Sequence, residues 1–83
     1  MRIFTLDKMY NVVCNWENTR YGFRHIAVLH KNGFEVCRAK ACYYNRTWER
    51  FEYETVLKGV VNKYFNDTEK TKYLTVIAGA NGF

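Results

Sequence analysis

Two histidines and three cysteines in one short chain raise metal and thiol chemistry first. His25 and His30 stand five residues apart, and so do Cys37 and Cys42. On an extended strand an odd separation sends two side chains to opposite faces, so neither pair can chelate an ion locally. A nucleophilic cysteine–histidine pair lacks a third group spaced to orient its imidazole. Glu49, Glu52 and Glu54 gather where a helix should begin, and the helix macrodipole accounts for them better than acid–base work does. No enzyme is expected, and with it no metal, no cofactor and no small-molecule substrate.

What remains is positive charge with aromatic neighbours. The 83 residues carry a net charge of +5, with 18% aromatic and 48% hydrophobic residues. That composition excludes disorder and fits one small domain over 1–83, too short for two cores. Residues 18–46 hold Arg20, Arg24, Lys31, Arg38, Lys40 and Arg46 against Glu35 alone, so the excess lies in one contiguous third of the chain. Such asymmetry suits phosphate or an acidic protein face. A solvated basic surface kept for solubility is the plainer account. No apolar run is long enough to span a membrane, and the first residues show no signal-peptide pattern. An odd cysteine count then reads as reduced, partly buried thiols in a cytoplasmic protein.

The elements that must position these cations follow from local pattern. Asn32-Gly33 between two strand-like runs marks a hairpin, because a type I′ turn needs positive φ at both central residues. It pairs 21–31 with 34–44, Lys31 opposite Phe34. Uninterrupted register then puts Ile26, Val28, Cys37, Ala39, Ala41 and Tyr43 on a core face, and Phe23, His25, Ala27, Leu29, Val36, Arg38, Lys40 and Cys42 on a wetter one. Residues 10–17 alternate as a third strand, and 3–6 as a short further one. After Tyr44 the period becomes helical, over 47–65, with Val56, Leu57, Val60, Val61 and Tyr64 on one stripe. Asn66-Asp67-Thr68 should end that helix, 73–78 reads as a candidate edge strand, and 79–83 as a frayed end. The expected fold is α+β, an antiparallel sheet of three to four strands with one helix packed on one face.

On the uncovered face Phe23, His25, Arg38 and Lys40 should lie together, with Arg20 and Arg24 near the strand end. Rings interleaved with cations suit single strands or RNA, and a basic two-stranded ribbon suits a DNA groove. The same face, moderately apolar, also suits a protein or a second copy of the chain. Trp48 and Phe51 project off the helix's packing stripe, either resting under a terminal strand or forming a binding anchor.

Tyr43-Tyr44-Asn45-Arg46-Thr47-Trp48-Glu49-Arg50-Phe51-Glu52-Tyr53, preceded by Asn18-Thr19-Arg20-Tyr21-Gly22-Phe23, resembles segments of short bacteriophage- and prophage-encoded proteins. The resemblance covers about the middle half of the chain and implies an accessory role in the bacterial cytoplasm during infection. It implies no catalytic residue, and it makes Arg46, Trp48 and Arg50 the first positions to test. Accessory proteins of this kind commonly inhibit or redirect host machinery, CRISPR nucleases included. The leading expectation is therefore a non-enzymatic binding protein whose partner is a host or defence protein complex. The alternative is a DNA- or RNA-binding regulator using the open sheet face. A homodimer through 10–17 or 73–78 as edge strands is a further expectation.

Overall fold

The computed structural model of the protein describes residues 2–20, 22–40 and 49–79, and of these residues 19, 23 and 49–53 by their backbone alone. Its elements run β1 (Arg2–Thr5), β2 (Tyr10–Thr19), β3 (Gly22–Lys31), β4 (Phe34–Lys40), α1 (Glu49–Tyr64) and α2 (Asp67–Ala78). The strands form one antiparallel sheet in chain order, so the fold is α+β as expected. Asn32 and Gly33 both take positive φ, 52° and 87°, and Lys31 lies opposite Phe34. The primed turn matches the right-handed twist of its strands.

Two residue pairs beyond that turn, the register shifts. His30 still faces Glu35, but Leu29 faces Cys37, so Val36 is an extra residue in a β-bulge. The bulge corrects the face assignment made from uninterrupted register. Cys37 and Ala39 keep the helix side, but they share it with Leu29 and Ala27, not with Val28 and Ile26. His25, Ala27 and Leu29 are buried, whereas Ile26 and Val28 are half-buried on the other face. The physical reason is charge. With β3 set by its pairing to Val12 and Cys14, a bulge-free β4 would turn Arg38 and Lys40 under α1. Burying two unpaired cations costs far more than one local kink. Deleting Val36 should therefore leave the fold intact, because Cys37 then follows Glu35 directly and still meets Leu29. Retained circular dichroism and an unfolding midpoint near the parent's would bear this out, and an unfolded deletion variant would refute it.

α1 lies across β3 and β4 and buries Val56, Leu57, Val60 and Val61. Tyr64, assigned to the same stripe, is 38% exposed, and Phe65 enters the core in its stead. Gly59 of the helix faces Ala39 of β4, and a Cβ there would lie 3.7 Å from the Cβ of Ala39, an ordinary packing contact.

The stretch 73–78, read as a candidate strand, belongs to α2. Asn66 both ends α1 and starts α2: its side-chain oxygen accepts from the Glu69 backbone N–H at 3.0 Å, a side-chain cap at the first turn. Tyr73 and Ile77 then fall four apart on one buried face, with Leu74 packed beside them. Gly79 is not frayed; its N–H caps α2 by donating to the Thr75 carbonyl at 3.0 Å. Residues 80–83 lie outside the described residues. α2 packs on α1 and reaches the sheet through Tyr73, whose ring meets Tyr10 edge-on at 5.8 Å.

Candidate functional site

Among the described residues both helices lie on one side, and the opposite side of the sheet is the candidate contact surface. Register orders its side chains into cross-strand rows. Ile3, Val13, Val28 and Arg38 form a row spanning all four strands. Asn15, Ile26 and Lys40 lie on one side of it, with Glu17 and Arg24 beyond, and Thr5, Asn11, His30 and Glu35 lie on the other. The middle is thus aliphatic: Val13, Ile26 and Val28 are half-buried and Ile3 is 62% exposed. Charge collects along β4 and at one end of β2 and β3.

Those charges are mostly engaged with one another. Arg38 grips Glu35 with two hydrogen bonds, Nη2 to Oε1 at 2.7 Å and Nε to Oε2 at 3.0 Å. Arg24 Nε donates to Glu17 Oε1 at 2.8 Å, and Lys40 Nζ stands 3.5 Å from the same oxygen. The hydrogen bond from Arg24, helped by the charge of Lys40, holds the Glu17 carboxyl below its usual range. Arg38 does the same to Glu35, which in turn raises the guanidinium's affinity for its proton. Three cations therefore meet two carboxylates on this face. Neither carboxylate was singled out from sequence, although the Glu35–Arg38 spacing and the Glu17–Arg24 register were both available to find them.

Arg24, Arg38 and Lys40 share the open face. His25 does not; it is 1% exposed on the helix side, separated from Arg38 and Lys40 by the sheet itself. His25 shares the helix side with Ala27 and Leu29, a side fixed by the pairing of β3 with Val12 and Cys14 of β2, so it is a packing residue and is withdrawn from the contact surface. Arg20 is exposed in the turn between β2 and β3. Phe23 lies in β3 opposite Asn18, and Arg50 is the second residue of α1. Arg46 and Trp48 lie outside the described residues, as do Ala41, Cys42 and Tyr43, and so does the side chain of Phe51.

Cys14 is fully buried, which pushes its thiol up to about 11 and keeps it protonated and inert. Cys37 is half-buried, and both are free. Among the described residues no three His, Cys, Asp or Glu side chains gather around a common point, and no helix is long and apolar enough to cross a membrane.

Compared with known proteins, this chain matches no family model, no curated protein and no solved structure.

Proposed function

We propose that this chain is a non-enzymatic accessory protein of phage type that binds and inhibits or redirects a host protein complex. The target we favour is a nucleic-acid-handling defence complex such as a CRISPR nuclease, met in the bacterial cytoplasm. The target class follows the resemblance of residues 43–53 and 18–23 to phage and prophage proteins. The mode of binding is supported by one observation, the aliphatic row across the open face with paired charges at its margin. An apolar middle that sheds water and a polar rim that sets register are the anatomy of protein recognition. Phosphate binding needs cations free to displace counterions, and here Arg24 and Arg38 already hold carboxylates. The net charge of +5 favours an acidic partner, and the basic residues within 18–46 are what a direct nucleic-acid reading would rest on.

DNA cleavage by purified CRISPR nucleases, with and without the chain, tests the proposal. Cleavage should fall when the chain is added, and Val28→Lys should relieve that inhibition by about tenfold in concentration while circular dichroism stays unchanged. Arg38→Ala and Lys40→Ala should move folding stability by no more than about 0.5 kcal/mol, as exposed changes do. A gel shift of naked DNA or RNA that weakens by about 0.7–0.9 log units per log unit of salt for each phosphate contact would favour the regulator in its place.

A further inference from the structure

The two edges of the sheet are built differently. β4 is guarded: Val36 bulges, and Lys63 Nζ donates to the Arg38 backbone carbonyl at 3.1 Å. A second β4 brought alongside would also set Arg38 and Lys40 against like charges. Bulges and lysines are the usual devices that stop an edge from pairing. β2, one of the edges expected to pair two copies, is interior to the sheet, and 73–78 is helical. β1 remains. It runs in unbroken register with β2, and its open-face residues, Ile3 and Thr5, are uncharged.

Ile3 is the outlier that makes this edge informative. Its row-mates Val13 and Val28 are half-buried, yet Ile3 is 62% exposed at the end of the row. In antiparallel pairing, residues directly opposite share a face, so a two-fold axis normal to the sheet can place Ile3 opposite its own counterpart. Arg2 then stands across from the counterpart of Phe4, not across from another cation. We propose that two copies of the chain associate through antiparallel β1 edges at Ile3, joining two aliphatic rows into one line across an eight-stranded sheet. Charge selects this occupant and this edge: β1 brings two uncharged open-face residues to the axis, where β4 would bring cations to cations. Four residues of edge make a small interface, so the dimer is weak and concentration-dependent. This proposal is independent of what the open face recognises.

Sedimentation equilibrium over rising protein concentration should show reversible monomer and dimer. Ile3→Lys sets like charges directly opposite and should raise the dissociation constant about tenfold or more. Val28→Lys, on the same row but away from the edge, should leave it unchanged. In a mixed sample of isotope-labelled and unlabelled chains, an intermolecular contact between Ile3 methyl groups should appear. A chain that stays monomeric throughout, a dimer indifferent to Ile3→Lys, or one lost in Val28→Lys through stacking of open faces would each overturn the proposal. The methyl contact is read on the unsubstituted protein, so it decides the matter whatever the variants do to folding.

Discussion

Truncating Leu57 to alanine is expected to lower the free energy of unfolding by about 2–5 kcal/mol. Leu57 is fully buried in α1, and it belongs to the core cluster that joins Val12, Ala27 and Leu29 of the sheet to Val56, Val60 and Val61 of the helix. The loss combines the transfer free energy of the deleted carbons with the cavity they leave, and a helix held by backbone hydrogen bonds relaxes into that cavity only in part. A domain of this length has about 4–12 kcal/mol in total, so the variant should approach or cross its unfolding threshold. Urea titration would read this as a fall in midpoint at constant slope. A change below about 1 kcal/mol would mean that α1 does not lie on the sheet through this residue.

The second large effect concerns Asp7, which ties the last helix to the first hairpin. Its Oδ1 accepts from the backbone N–H groups of Met9 and Tyr10, each at 2.9 Å, and its Oδ2 accepts from the Tyr73 hydroxyl at 2.6 Å. Burial works to raise the Asp7 carboxyl, but these hydrogen bonds and the charge of Lys72 outweigh it and hold the group below its usual 3.8. Burial of Tyr73 and its bond to Asp7 push the phenol well above its usual 10.0. Tyr73→Phe should cost about 1–2 kcal/mol at neutral pH, the range of a charge-assisted hydrogen bond after allowance for solvent near the carboxylate. The sign of the pH dependence follows from the lowered carboxyl. The Asp7 contribution is fully present above pH 3.8 and is lost as pH falls through the folded value beneath it. The Tyr73 contribution is present below pH 10.0 and fades as pH rises through its higher folded value. The stability gap between parent and Tyr73→Phe should therefore shrink on acidification below pH 3.8. A gap constant across that range would show that the stability of this bond does not depend on the charge of Asp7.

Much of this architecture was legible from short-range pattern. Asn32-Gly33 dictates its turn because only residues tolerant of positive φ fit there, and the alternation of Tyr10, Val12 and Cys14 picks the core side of β2 without reference to any partner. The spacing of Val56, Leu57, Val60 and Val61 likewise locates α1 and its buried stripe. α2 was within reach of the same reading. Tyr73, Leu74 and Ile77 have helical spacing, but their apolar, partly β-branched neighbours also suit a strand, and the Asn66 cap with Glu69 three residues on is the signal that decides for the helix.

Local chemistry alone settled the turn, the strands and the main helix, since each depends on bonds and rotamers within a few residues. Which surface His25 and Arg38 reach was settled only by tertiary packing. A strand's sides exchange with every added residue, and whether Val36 counts in the ladder or bulges out of it is decided by α1, which accepts Cys37 and Ala39 beneath it and rejects two cations.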